Sequence, residues 1–237
     1  MLVLSIDTSS PVLTVAIGDE AVIVDEVTLW LPRGHMAKLI PVIDGLLTSF
    51  GYTIDDVTHV VIGSGPGSYT GLRIGMVIAR TLAQMLNVPI LGIPSLDAIA
   101  YRNRETSGII CPIIDAKRAE VYAAFYRPND DTVERFSGFH AIKPDELAEL
   151  IQIEGYERIV FAGDAVKLYR EVIEGILQER AEFAPEEAWW PTASDLIALA
   201  KPRLRSGDFD ELYQLSPIYV RLSQAEEMWE QRQKEQG

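Results

Sequence analysis

A strand–turn–strand unit with an aspartate closing its first strand occurs twice in this chain, and that repetition constrains the fold more than any other feature. The first copy is "LVLSIDTSSPVLTVAIGDE", beginning at Leu2, and the second is "CPIIDAKRAEVYAAFY", beginning at Cys111. Aligned without gaps, Ile6 and Asp7 fall on Ile114 and Asp115, Leu13 on Val121, and Ala16 and Ile17 on Ala124 and Phe125, all 108 positions apart. Further on, "ERIVFAGDAV" echoes "THVVIGSGPG", each an apolar strand running into glycine and then a helix. A chain of 237 residues has room for two such units. The pattern predicts two α/β lobes, 1–107 and 108–214, joined near the polar stretch "YRNRETSG", with the segment from about 215 to 237 packing back on the first lobe.

Within the first lobe a third strand is expected over residues 21–30. Met36, Leu39, Ile40, Ile43, Leu46, Leu47 and Phe50 then recur at helical spacing and give one apolar face. Pro41 should kink this helix or lie near its start. "VTHVVIGSG" reads as a buried strand of the parallel type, "PILGI" as another, and Ser95 as the cap of a following helix. The tail "EEMWEQRQKEQG" reads as a frayed, charged surface helix or a partner-docking segment.

Composition narrows the function. Hydrophobic residues make up 48% of the chain, ample for a core, yet no run approaches the ~18 apolar residues of a membrane span. The opening "MLVLSIDTSS" has neither a basic leader nor a cleavage site, and a lone cysteine, Cys111, fits a reducing cytoplasm. Acidic residues outnumber basic ones 35 to 21, for a formal charge of −14. A protein that grips nucleic acid by itself usually presents a basic face, so strong direct nucleic-acid binding is not expected.

The glycine-rich stretch "GSGPGSYTGLRIGMVIARTLAQ" raises the question of phosphate binding. A P-loop needs G-x-x-x-x-G-K-[ST], and no lysine follows Gly65. A dinucleotide fingerprint needs G-x-G-x-x-G, whereas here Gly63, Gly65 and Gly67 alternate with Pro66 among them, which has no N–H to offer an anion. No G-x-S-x-G elbow is present, and His35, His59 and His140 form no pair at helical spacing. No metal site is expected from such residues. Cys111, in an apolar strand, reads as inert core.

Two lobes with an aspartate on each leading hairpin resemble the actin, sugar-kinase and chaperone-ATPase superfamily, with its two duplicated ribonuclease-H-like lobes. More narrowly, "IDTS", "GPGSYTGLRIG", "IDAKRAEVY", "GDA" and "SPIYVR" resemble the TsaB family of accessory proteins in tRNA threonylcarbamoyladenosine synthesis, nearly end to end. Tyr69 stands where phenylalanine is common in that family, and Lys117 where arginine is usual. The resemblance implies an inactive paralogue of the transferase TsaD that pairs with TsaD, with the ATPase TsaE joining the assembly and a homodimer as an option when alone. It also implies a vestigial nucleotide cleft at Asp7, Thr8, Asp115, Lys117 and Gly163. The first hairpin lacks a glycine beside its aspartate, the second lacks a glycine–threonine run, and Gly163 is a lone glycine. No cofactor is therefore expected beyond weak nucleotide binding. Turn capping by the two aspartates is the plainer reading, and a small ATP-dependent phosphotransferase or ATPase the functional alternative. A metallopeptidase is the third, and needs a metal.

Gly71, Gly75, Ala79 and Ala83 recur every four residues and make a stripe of small side chains along one helix. Interior glycine costs about 1 kcal/mol against alanine, so something should offset Gly75. Either the two helices of lobe one pack on each other, or they jointly present a partner surface. The resemblance favours the second, with Leu39, Ile43, Gly71, Leu72, Gly75, Met76, Ala79 and Ala83 at the contact with TsaD or another copy.

Overall fold

In the computed structural model, which describes residues 1–221, the first sheet is built around a strand buried along its whole length, β1 (Val3–Asp7). β1 pairs antiparallel with β2 (Val12–Gly18), which pairs with β3 (Ile23–Trp30). On the other side lie β4 (His59–Gly63) and β5 (Ile90–Ile93), both parallel, giving the order β3-β2-β1-β4-β5. Two crossover helices, α1 (His35–Ser49) and α2 (Tyr69–Leu86), cover one face of this sheet. Leu39, Ile43, Leu46 and Leu47 from α1 join Met76, Ala79 and Ala83 from α2 over Leu4, Ile6, Leu13 and Val60. Helix α1 continues through Pro41 instead of starting there.

A short helix, α3 (Ser95–Arg102), leads to the second sheet. Its strands are β6 (Ile109–Lys117), β7 (Glu120–Ala123), β8 (Tyr126–Asn129), β9 (Thr132–Arg135), β10 (His140–Ile142), β11 (Ile159–Ala162) and β12 (Ala181–Phe183). The order β10-β7-β6-β11-β12 reproduces that of the first sheet, with β8 and β9 added as a hairpin beside β6. Helices α4 (Pro144–Glu154) and α5 (Val166–Leu177) take the places of α1 and α2. The duplication read from sequence is therefore present in the topology.

Two details differ from the sequence reading. Asp7 lies opposite Thr14, but Asp115 lies opposite Val121, so the second hairpin is one residue shorter. The gapless alignment consequently slips on the returning strand: Thr14, not Leu13, matches Val121, and Ala16 matches Ala123, not Ala124. The second correction concerns the lobe boundary. Helix α6 (Ala193–Ser206) lies inside the range assigned to lobe two, yet Leu196, Ile197, Ala200 and Leu204 pack with Val3, Ala16, Val61 and Leu91 on the uncovered face of the first sheet. A central sheet with apolar residues on both faces needs cover on both, so the chain returns to lobe one at about residue 193, well before 215. The tail "EEMWEQRQKEQG" lies outside the described residues.

Candidate functional site

Asp7 ends β1 with its side chain fully buried. Oδ1 accepts from Ser9 N and Ser9 Oγ, both at 2.7 Å, and Oδ2 accepts from Ser95 Oγ at 2.7 Å. Burial pushes this carboxyl above its usual range, while the Ser9 and Ser95 hydrogen bonds pull against that. Ser95, expected as a cap, is instead the first residue of α3 and aims its hydroxyl at Asp7; the α3 cap position is Pro94. Thr8 Oγ1 donates to Gly71 O at 2.8 Å. Every polar group at this tip is turned inward.

The glycines of the following loop and helix serve the same contact. A Cβ on Gly67 would run into Ser9 O, one on Gly71 into Thr8 O, and one on Gly75 into Thr8 Oγ1. These glycines let α2 lie directly against the first hairpin. The loop's N–H groups are engaged as well: Gly65 N with Ser95 Oγ at 3.2 Å, Ser68 N with Ser9 O at 2.7 Å, and Gly71 N with Ser68 Oγ at 3.2 Å. These bonds take three of the donors that an anion at the start of α2 would use.

The tip of lobe two is arranged differently. Asp115 Oδ1 accepts from Lys117 N at 2.8 Å, and Lys117 Nζ lies 2.5 Å from Oδ2 with its side chain 80% exposed. The Asp115 hydrogen bond raises Lys117 above its ordinary value. Asp164 accepts from Asp115 N at 2.9 Å, and its own carboxyl is pushed up by burial. Lys117, Arg118 and Ala119 all have positive φ, 64°, 59° and 60°. Gly163 has φ 112°, and a Cβ there would run into Ile113 O, so this glycine lets β6 and the β11–α5 turn approach each other. Both aspartates do cap turns through residues two positions on.

The eight residues expected at a partner contact all point inward. Leu39, Ile43, Leu72, Met76, Ala79 and Ala83 are at most 3% exposed, and Gly71 and Gly75 are buried against Thr8. That expectation is corrected: the small stripe lets α2 pack on its own sheet and hairpin, which is what offsets the cost of Gly75. The opposite side of the same helices is open and carries several large apolar residues among polar ones. Met36 is 72% exposed and Ile40 48% on α1, Val77 63% and Met85 76% on α2. Beside α2, a groove of about 440 Å³ runs past Gln84, Asn87, Asp210 and Tyr213.

The histidines are scattered. His35 is buried at the start of α1, His59 lies against Phe209, and His140 against Phe125. Among the described residues no three His, Cys, Asp or Glu side chains gather closely enough to hold a metal. Burial pushes the Cys111 thiol far up, away from thiolate chemistry. No helix among the described residues is long and apolar enough to cross a membrane.

This geometry is shared with known proteins. A family model described as TsaD, tRNA N6-adenosine threonylcarbamoyltransferase, matches residues 30–229. The tRNA threonylcarbamoyladenosine biosynthesis protein TsaB of Bacillus subtilis (strain 168) is 31% identical over 239 residues, spanning 99% of this chain and 100% of that protein. The chain belongs to the TsaB proteins of the TsaD family. A solved structure, described as an uncharacterized protein with similarity to peptidase YEAZ from Pseudomonas aeruginosa, matches with TM-score 0.80 at 27% identity over 93% of this chain and 99% of that one. The fold reaches beyond this family. The activator of the 2-hydroxyisocaproyl-CoA dehydratase from Clostridium difficile with bound ADPNP shares it, with TM-score 0.51 at 12% identity over 92% of this chain and 100% of that one.

Within this TsaB fold, sequence reasoning passed over one cluster. Arg73 lies 4.0 Å over the Tyr69 ring and donates to the Tyr219 hydroxyl at 3.1 Å, while Arg221 pairs with Glu120 and donates to Ala116 O. "SPIYVR" carried the signal as a motif, but its contacts span 146 and 101 positions, and no local pattern reveals them.

Proposed function

We propose that this chain is a non-catalytic scaffold subunit in tRNA threonylcarbamoyladenosine synthesis, acting in the cytoplasm. It docks TsaD through the outer face of α1 and α2, around Met36, Ile40, Val77 and Met85, and holds that enzyme in a productive arrangement. TsaE joins the assembly, and a second copy of this chain occupies the same face when TsaD is absent. The observation that carries this reading is the inward capture of Asp7: both carboxylate oxygens are engaged by Ser9 and Ser95 in a fully buried position. A carboxylate held that way is not available to organise a metal–nucleotide complex. The apolar helices argue in the same direction, because interface centres are apolar and closely packed. The formal charge of −14 leaves the grip on tRNA to other subunits.

Replacing Val77 by Arg tests the docking face. At this exposed site, stability should change by less than about 0.5 kcal/mol. Co-elution with TsaD should be lost, and with it the modified nucleoside in cells relying on the variant. Retained co-elution overturns the assignment of the face. Weak nucleotide binding at lobe two is the second reading, favoured by the exposed Lys117 beside Asp115. Calorimetry with Mg-ATP on the isolated chain separates the two: binding heat that is lost in Asp115→Ala supports the nucleotide reading, and no heat supports the scaffold alone.

A further inference from the structure

Residues 208–221 leave α6 and cross both lobes as a strap. Its start is fixed by Asp210, whose N donates to Ile90 O at 3.0 Å and whose carboxylate takes hydrogen bonds from Gly92 N at 2.7 Å and from Arg203 at 2.8 Å. In the middle, Arg80 reaches Leu215 O at 3.4 Å and Ile218 N donates to Ser64 O at 2.8 Å. Tyr219 then lies beside Tyr69, ring centroids 5.3 Å apart, with Arg73 binding both rings. Two residues later Arg221 arrives at lobe two. It donates to Ala116 O at 3.1 Å and pairs with the Glu120 carboxylate.

Ala116 and Glu120 are the two residues that flank the left-handed turn 117–119. Three successive non-glycine residues with positive φ persist only where their surroundings hold them. Arg221 grips the turn at both ends. The same strap is fastened, through Tyr219, to Tyr69 and Arg73 on the first turns of α2. The contacts of Tyr219 and of Arg221, two residues apart on one strap, thus link the helix proposed to dock a partner to the tip of the other lobe.

We propose that this strap is a coupling device: contacts at the start of α2 set, through Tyr219 and Arg221, the conformation in which lobe two presents Lys117 and Arg118. A partner seated on Tyr69 and Arg73 favours the fastened strap and so the closed turn, which is differential binding between two states of one element. The partner's share of this rests on the docking reading above. The link between Tyr219 and the turn is internal to the chain and does not.

Trypsin cuts after lysine and arginine, so it reads the turn directly at Lys117 and Arg118 in the full chain. A protease needs the segment to open, and cleavage follows the population of the open form. Tyr219→Ala and Arg221→Ala should each raise cleavage after Lys117 and Arg118 by about tenfold, followed by mass spectrometry of the fragments. Arg205→Ala, which removes the Arg205–Glu20 ion pair elsewhere, should leave it unchanged. A rise below about twofold in both strap variants overturns the proposal. So does an equal rise in amide exchange at the core strand β11, which would mark global loosening. Adding TsaD should slow cleavage of the wild-type turn about tenfold and leave the Tyr219→Ala turn unprotected. If TsaD does not bind, the docking reading fails and the first comparison still judges the strap. If TsaD binds and protects both proteins equally, coupling through the strap is overturned.

Discussion

The two lobes share a strand order but use the tips of their leading hairpins in opposite ways. In lobe one the tip is closed: Asp7, Thr8, Ser9 and Ser10 are buried, and α2 with the loop before it lies against them through glycines at 67, 71 and 75. In lobe two the tip is more open: Lys117 is 80% exposed, the turn is left-handed, and among the described residues no helix covers it with a row of glycines. The shared topology is satisfied by strand pairing and apolar faces alone, so it leaves the tips free to diverge. What a duplicated aspartate does depends on the element packed over it. At Asp7 that element is α2 with Ser95, and the carboxylate becomes a structural acceptor. At Asp115 it is an exposed lysine, and the carboxylate, its own side chain only 12% exposed, becomes half of an ion pair.

The comparison breaks most visibly at Gly75. A leucine there must displace Thr8 Oγ1 and Ile62, both part of the hairpin and sheet beneath. Overpacking and loss of the Thr8–Gly71 hydrogen bond should together cost about 4 kcal/mol, a large share of a small protein's stability. Urea denaturation should show the chain largely unfolded or its midpoint far lowered. Gly175, in lobe two's α5, has open space where a Cβ would go, and Gly175→Ala should be neutral or stabilising by up to about 1 kcal/mol. Equal effects at the two glycines would refute the claim that only lobe one is sealed by its second helix.

The matched aspartates offer a sharper and smaller contrast. Asp7→Asn turns a group that accepts three hydrogen bonds into one whose N–H₂ faces a donor, and should cost about 2 kcal/mol. Asp115→Asn loses an ion pair with an exposed lysine and should cost less than about 1 kcal/mol. The pH dependence carries a sign. Burial raises the folded-state pKa of Asp7 above its unfolded value of 3.8, so the folded protein binds that proton more tightly. Its contribution is full below 3.8 and is lost as pH rises through the folded pKa. The deficit of Asp7→Asn against wild type should therefore be larger at about pH 4 than at pH 7. Denaturation midpoints at the two values check this, and a deficit that grew with pH would mean the carboxylate is stabilised in its charged form.

These contrasts also explain what could be read in the chain beforehand. The duplication was legible because strand–turn–strand units and glycine punctuation are local, with Asp7 ending β1 and Asp115 two residues short of the end of β6. The register slip of one residue was not, because a hairpin's turn length is set by backbone conformation at 117–119, which residue types such as lysine, arginine and alanine do not announce. The small stripe on α2 was seen, but its direction was misjudged. Spacing tells which residues share a helix face, and only tertiary contacts tell whether that face meets its own sheet or a neighbour. Leu39, Ile43 and Met76 turned inward for the same reason, leaving Met36, Ile40, Val77 and Met85 outside. The return of α6 to lobe one, and the strap through Tyr219 and Arg221, depend on contacts between residues far apart in sequence.

The smallest expected effect tests whether the lobe-two turn is held against its own preference. A left-handed L-residue costs roughly 1–2 kcal/mol, and glycine removes that cost while adding about 0.5–1 kcal/mol of unfolded-state entropy. Ala119→Gly should therefore stabilise the chain by about 0.5 kcal/mol, a rise in midpoint near the limit of careful urea titration. The mirror change in lobe one, Ser10→Gly, should do the reverse. None of residues 8–11 has a positive φ, and the Ser10 hydroxyl accepts a hydrogen bond from Val12 N at 3.0 Å. There glycine gains nothing in the folded state, adds freedom to the unfolded one and deletes a hydrogen bond, for a loss of about 1–2 kcal/mol. Opposite signs at the two tips follow from backbone conformation, with the lost hydrogen bond deepening the deficit at Ser10. If Ala119→Gly destabilised the protein instead, the turn would be a relaxed one, and Arg221 would be gripping a conformation that needs no restraint.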